Sequence, residues 1–241
     1  MREAQERIEA ALATRATALD LSRCGLHEVP EQVRGLTHLE SLDLQFNSLD
    51  DLPGWLTELD ALTGLNVQSN ALEEVPDVIG SLTGLQVLSL SENNLEAGPL
   101  DALGRLTNLR ELALIDTRSD RLPASIGDLT HLTDLDLYLG WFNDSPDSLP
   151  ATMGQLTELT RLELSRNGLT TVPEWIRGLT KLRELGLWLN EIDEIPDWIA
   201  ELTELRDLSL PGEPDDALLA RLRGLPHLRK VSFDYDEVDL L

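Results

Sequence analysis

Leucines recur along this chain at fixed intervals. Leu39, Leu42, Leu44, Asn47 and Leu49 set out L-x-x-L-x-L-x-x-N-x-L, and the spacing returns at Leu62, Leu65, Val67, Asn70 and Leu72 and again at Leu85, Leu88, Leu90, Asn93 and Leu95. The first positions of successive units fall at 39, 62, 85, 109, 132, 159, 182, 205 and 228, at intervals of 23, 23, 24, 23, 27, 23, 23 and 23 residues. One step earlier, Ala16 opens a unit that continues through Leu19, Leu21, Cys24 and Leu26, so ten units cover nearly the whole chain. A self-similar period of this length means stacked units that bury a core only against their neighbours.

Each slot has a physical reading. L-x-L alternates with period two, which predicts a short strand with Leu42 and Leu44 inward and Asp43 outward. Successive strands stack in parallel, roughly 4.8 Å apart. The asparagine stands where the chain turns out of the strand, where its amide can bond backbone groups that would otherwise be buried unpaired. Prolines then begin a return stretch in Leu52-Pro53, Val75-Pro76, Leu122-Pro123, Leu149-Pro150, Val172-Pro173 and Ile195-Pro196, where no ladder bond is asked of the nitrogen. Three and six residues further on come Leu56 and Leu59, Ile79 and Leu82, Ile176 and Leu179, and Ile199 and Leu202, a spacing that suits a short helical turn on the outer side.

These residues resemble the leucine-rich-repeat family, in its 23-residue intracellular class with the second-half signature L-P-x-x-I-x-x-L. The resemblance implies an α/β leucine-rich-repeat solenoid: a curved stack with a parallel concave sheet, short helical or irregular convex segments, about ten repeats and a helical N-terminal cap. Residues 1–241 are expected to form one domain, with a cap at 1–15, repeats at 16–212 and a C-terminal capping unit at 213–241. The cap reads as a helix from Glu3 to Ala13 with Ile8, Ala11 and Leu12 inward. At the other end, Asp215-Asp216 can cap a helix through Leu218, Leu219 and Leu222 that stops near Gly224. Val231 and Phe233 then mark a last strand. The acidic tail Asp234, Asp236, Glu237 and Asp239 reads as charge that discourages pairing at an exposed edge.

Composition narrows the partners. Nineteen Lys and Arg against 44 Asp and Glu leave a net charge of −25 and a pI near 4.3. Phosphate backbones and anionic membranes repel such a surface, and a basic partner is steered toward it. The expectation is a monomer that binds another protein with basic residues around its contact, with no nucleic acid and no membrane. A single cysteine, no apolar leader near Met1 and no run approaching the ~18 apolar residues of a membrane span suggest a cytoplasmic protein.

The chain carries no G-x-x-x-x-G-K-[ST], G-x-S-x-G, H-E-x-x-H or C-x-x-C. His38, His131 and His227 share one variable surface slot in distant units, which argues against a metal site. Cys24 stands in the asparagine slot, a structural position. The run Asp234-x-Asp236-Glu237-x-Asp239 lacks the glycine and spacing of a calcium loop. No catalytic residue, metal ligand or cofactor is expected, and the chain is read as a non-enzyme.

A binding face is suggested by the outward strand positions. The residue after L-x-L runs Ser22, Gln45, Gln68, Ser91, Ile115, Tyr138, Ser165, Trp188, Pro211, Asp234, and the next runs Arg23, Phe46, Ser69, Glu92, Asp116, Leu139, Arg166, Leu189, Gly212, Tyr235. Large apolar side chains gather in units five to eight, where no inner slot claims them. The same region breaks the repeat: Thr117 and Gly140 replace the asparagine, Ser119 replaces a core leucine, and unit six carries four extra residues within Trp141–Ser148. The candidate contact residues are Ile115, Asp116, Tyr138, Leu139, Trp141, Phe142, Arg166, Trp188 and Leu189. A competing reading has Trp141 and Phe142 folding back into the gap left by Ser119 and Gly140. Asp20, Asp43, Glu111, Asp134, Asp136 and Glu163 add acidity, interrupted by Arg110, Arg161 and Arg183. Trp55, Trp175 and Trp198 fall on the convex side, the last two in adjacent units where they could stack. The function expected is a protein-binding scaffold or adaptor; the alternative is an acidic inhibitor or immunity protein that blocks a basic enzyme or toxin.

Overall fold

The computed structural model describes residues 2–96, 98–142, 148–213, 216–234 and 237–239, with the side chains of the last segment excepted. A helix, α1 (Arg2–Thr14), precedes ten parallel strands: β1 (Ala18–Asp20), β2 (Ser41–Asp43), β3 (Gly64–Asn66), β4 (Val87–Ser89), β5 (Glu111–Ala113), β6 (Asp134–Asp136), β7 (Arg161–Glu163), β8 (Glu184–Gly186), β9 (Asp207–Ser209) and β10 (Lys230–Ser232). They form one sheet in chain order, with each central leucine opposite the next: Leu19 against Leu42, Leu42 against Leu65, and so to Leu208 against Val231. This register is what the fixed period requires, because a slip by one residue would turn every leucine outward.

The return stretches are short 3₁₀ turns that begin after the prolines, such as Gly54–Glu58, Ala124–Asp128 and Glu174–Gly178. Their inner residues Leu56, Ile126 and Ile176 are fully buried. A helical turn is wider across its axis than the ~4.8 Å between neighbouring strands, so it suits the outer arc of a curved stack.

The first and last units depart from the repeat. In α1 the buried residues are Ala4, Ile8 and Ala11, one stripe at helical spacing, while Leu12 is 41% exposed and leaves the inner face proposed for it. A second helix, α2 (Asp216–Leu222), buries Leu218, Leu219 and Leu222; Asp215 lies outside the described residues. After β10 the chain turns back as β11 (Glu237–Asp239), antiparallel to β10 with Val231 opposite Val238. The acidic tail thus pairs with the last strand and itself forms the edge of the sheet. Alternation of Glu237, Val238 and Asp239 carried that signal.

Asparagines tie the units together. The Asn93 amide donates to Val67 O (3.0 Å) and Leu90 O (2.9 Å) and its oxygen accepts from Leu72 N (3.1 Å). Asn47, Asn70, Asn167 and Asn190 make the same bridges. In unit five the slot is Thr117, whose hydroxyl reaches only Leu114 O (3.2 Å), and in unit six it is Gly140.

Candidate functional site: a concave aromatic pair

The concave surface follows from the ladder. In each unit the sixth residue donates to the carbonyl of the fifth residue of the next unit, as Leu137 N does to Glu163 O (2.9 Å). The eighth donates to the next seventh, as Arg166 N does to Trp188 O (3.1 Å). The seventh N–H has no place in that pattern. The side chain two residues back takes it: Asp20 from Ser22 (2.8 Å), Asp43 from Gln45 (2.9 Å), Asn66 from Gln68 (3.0 Å), Asp136 from Tyr138 (3.1 Å) and Glu163 from Ser165 (2.9 Å). In unit nine the seventh residue is Pro211, which has no N–H to satisfy. Several concave carboxylates counted toward a partner thus also serve the backbone. Their spacing of two was visible in the sequence, but its purpose was not.

The eighth residue turns the chain through the left-handed region in nine units, from Arg23 (φ 56°) through Leu139 (55°) and Leu189 (51°) to Gly212 (77°). This repeated turn holds Ile115, Asp116, Tyr138, Leu139, Trp188 and Leu189 half-buried at the concave surface, with Arg166 exposed beside them.

Within that set two side chains meet. Tyr138 and Trp188 stack with ring centroids 6.3 Å apart and an interplanar angle of 25°. They belong to units six and eight, so their strands lie two apart, and Ser165 occupies the same column between them. Ser165 is completely buried, and its hydroxyl has no hydrogen-bond partner. Arg166 Nη1 donates to the Tyr138 hydroxyl at 3.2 Å, with the guanidinium 6.0 Å from the ring centroid. Beside the pair, the Glu163 carboxylate lies over Gly186, where a Cβ would collide with it. On the opposite flank Arg161 bonds Asp134 (3.0 Å) and Asp136 (2.9 Å) and reaches Glu184 (3.5 Å). Burial opposes the Arg161 charge, but the hydrogen bonds and attraction of Asp136 and Asp134 outweigh it and hold the pKa above the ordinary arginine value.

Phe142 does not belong to this surface. It is fully buried, in the eleventh slot of unit six, where Leu49, Leu72 and Leu95 stand in other units. Its ring fills the space at Gly140, whose Cβ would overlap it. The backbone bond of this slot is kept, since Gly140 N donates to Asn167 Oδ1 (2.8 Å) as Cys24 N does to Asn47 Oδ1 and Asn167 N to Asn190 Oδ1. Counting eleven from Leu132 identifies Phe142 as core, a reading overshadowed by its place at an insertion. Trp141 is 57% exposed with φ 64°, at the tenth slot beyond the turn, and so on the strand-exit edge. Folding back therefore holds for Phe142 and not for Trp141. Residues 143–147, within the stretch that holds the insertion, lie outside the described residues, as does Tyr235.

The other candidates have structural partners. Trp198 Nε1 donates to Glu174 Oε2 (2.8 Å), and the only stacked ring pair among the described residues is Tyr138–Trp188, so Trp175 and Trp198 do not stack. Cys24 is buried, with its thiol 3.5 Å from Ser22 O, and burial pushes its pKa up. Asp234 receives Leu189 N (2.7 Å) and Gly212 N (2.8 Å), the slot-eight N–H groups of units eight and nine. Asp236 and the side chains of Glu237 and Asp239 lie outside the described residues. No group of three His, Cys, Asp or Glu is arranged to hold a metal among the described residues.

A parallel sheet of one strand per unit, an asparagine ladder and 3₁₀ returns define a leucine-rich-repeat solenoid. The family described as leucine-rich repeat region matches residues 17–114 and 90–240, so the chain belongs to it. An internalin from Listeria monocytogenes is similar in structure at TM-score 0.75 and 24% identity, over 95% of this chain and 67% of that one. Internalin C2 of the same organism aligns at TM-score 0.64 and 19% identity, over 95% and 92%. A Leptospira interrogans leucine-rich-repeat protein aligns at TM-score 0.61 and 27% identity, over 93% and 70%. No match was found among curated proteins.

Proposed function

We propose that this chain is a non-catalytic scaffold that binds a partner protein on its concave face at units five to eight. The observation that carries this is the Tyr138–Trp188 stack with Arg166 on its rim. Two large rings and a guanidinium are held at a half-exposed surface, where the core does not need them. Aromatic and arginine side chains fixed in this way are the residue types that dominate binding energy at interfaces. Ile115, Leu139 and Leu189 extend the apolar centre, Asp116 and the carboxylates around Arg161 give it a negative border, and Trp141 stands at the edge within reach of a large partner. The partner surface that matches is apolar at its centre with basic residues around it. A monomer acting in the cytoplasm, with no nucleic acid or membrane as ligand, belongs to the same proposal.

The test is a pull-down in which wild type and a Tyr138→Ala/Trp188→Ala variant are compared side by side. A protein retained by wild type and lost by the variant supports the concave site. A protein held equally by both moves the interface elsewhere. The second reading, an acidic inhibitor of a basic enzyme, draws on the uncompensated charge of −25. It predicts one tight partner whose association slows steeply with added salt.

A further inference from the structure

Tyr138 and Trp188 sit on strands two apart, a backbone spacing of about 9.6 Å at ~4.8 Å per strand. Their rings lean together to 6.3 Å. A flat group held between two rings needs about 7 Å from ring to ring, at ~3.5 Å per contact. The centroids thus stand about 0.7 Å short of that spacing, and a small parting of the two side chains, with the strands fixed, would admit one planar group. Beneath them lies an unmet demand, because Ser165 is completely buried and its Oγ has no partner. An orphaned buried hydroxyl is costly and calls for a ligand group. Beside it, one oxygen of Glu163 receives Ser165 N, and no cation pairs with this carboxylate among the described residues. By contrast Arg161 is already shared by three carboxylates. Gly186 leaves Glu163 room to lie flat against the sheet.

We propose that the two rings form a slot for one arginine side chain of the partner protein, its guanidinium entering between Tyr138 and Trp188 and donating to Glu163 and Ser165 Oγ. This rests on the docking face proposed above and names its anchor. Guanidinium is planar, weakly hydrated and rich in donors, so it can stack on both rings and still bond in the ring plane. Lysine offers a compact, strongly hydrated charge without a flat face. The chain already uses this packing elsewhere: the Arg23 guanidinium lies 3.8 Å from the Phe46 ring centroid. Arg166 bonds the Tyr138 hydroxyl at the rim, 6.0 Å from that ring's centroid.

The experiment titrates N-acetyl-arginine amide into the ¹⁵N-labelled chain and follows the Trp188 indole N–H resonance, assigned as the peak missing from Trp188→Phe. N-acetyl-lysine amide and N-acetyl-citrulline amide, the neutral isostere of arginine, serve as comparisons. The expected result is a shift of the Trp188 peak with arginine at about tenfold lower concentration than with citrulline, as a charge-assisted bond requires. Lysine should trail arginine, and Glu163→Gln should remove the preference over citrulline while keeping the fold. Equal shifts for the three compounds, no shift, or a preference that survives Glu163→Gln overturns the proposal. A pull-down partner that depends on Tyr138 and Trp188 without any arginine preference would reject the slot and leave the docking face standing.

Discussion

Unit six offers a sharp test of the packing argument, because two departures from the repeat depend on each other there. Phe142 fills a leucine slot, and Gly140 stands where an asparagine would crowd it. Phe142→Leu alone trims a buried side chain and should cost about 1 kcal/mol, well under the ~3–5 kcal/mol of removing the ring entirely. Gly140→Asn alone forces a side chain into the ring, and overpacking of a close-packed interior costs about 1–3 kcal/mol. It also crowds the backbone whose N–H reaches Asn167. Made together, the two changes restore the Asn-x-Leu arrangement that Asn93 and Leu95 occupy without conflict. The steric cost then disappears, and the pair should be more stable than the sum of the singles by about 1–2 kcal/mol. Urea unfolding followed by circular dichroism measures this, provided the slope with denaturant stays constant across the four proteins. Additivity within about 0.5 kcal/mol would mean that Gly140 and Phe142 do not share space, and the account of unit six would fall.

Other consequences follow from single contacts. Asn167→Ala removes bonds to Leu137 O, Leu164 O and Gly140 N from a buried site, and should cost about 2–4 kcal/mol, well above Thr117→Val, which loses one bond; equal losses in chemical denaturation would contradict the ladder. Trp188→Ala should change the unfolding free energy by no more than about 1.5 kcal/mol, the scale of a lost aromatic pair, while weakening the partner complex. Global unfolding of that variant would place Trp188 in the core instead. For Cys24, a thiol whose pKa burial raises above the usual 9.0 holds its proton more tightly folded than unfolded. Its contribution is present below that value and fades as pH rises through the folded pKa. The melting temperature of Cys24→Ala should therefore fall less between neutral and alkaline pH than that of wild type, and identical pH profiles would refute the assignment.

The fold was legible because each unit repeats the same statement. A leucine at 42 or 162 is ambiguous alone, but ten copies at near-constant spacing leave one register in which every leucine is inward. Departures were less legible for physical reasons. Tyr138 and Trp188 are fifty residues apart, and only the two-strand offset, the small Ser165 between them and the lean of the rings make them a pair. Asp43 and Glu163 look like free surface charge until the ladder shows that the seventh N–H needs an acceptor. Trp175 and Trp198 were in the right units to stack, but Glu174 offered the Trp198 indole a hydrogen bond, which a buried or half-buried N–H seeks first. Only Phe142 could have been placed by counting alone.

The breaks in the repeat and the candidate contact residues therefore do different work. Thr117, Ser119, Gly140 and Phe142 are departures that the interior resolves, through hydroxyl bonds to Leu114 O and Leu95 O, one buried ring and the retained bond to Asn167. Tyr138, Ser165 and Trp188 occupy regular slots in which every unit must place some residue, and no backbone requirement selects an aromatic there. Local irregularity is evidence of altered packing, whereas a costly side chain in a permissive slot is evidence of a demand from outside the chain. On that reasoning the second kind carries the functional argument, and restoring unit six to the consensus with Gly140→Asn/Phe142→Leu should leave binding at Tyr138 and Trp188 intact. A loss of partner in that double variant, with the fold retained, would show that the insertion and the aromatic pair act as one surface.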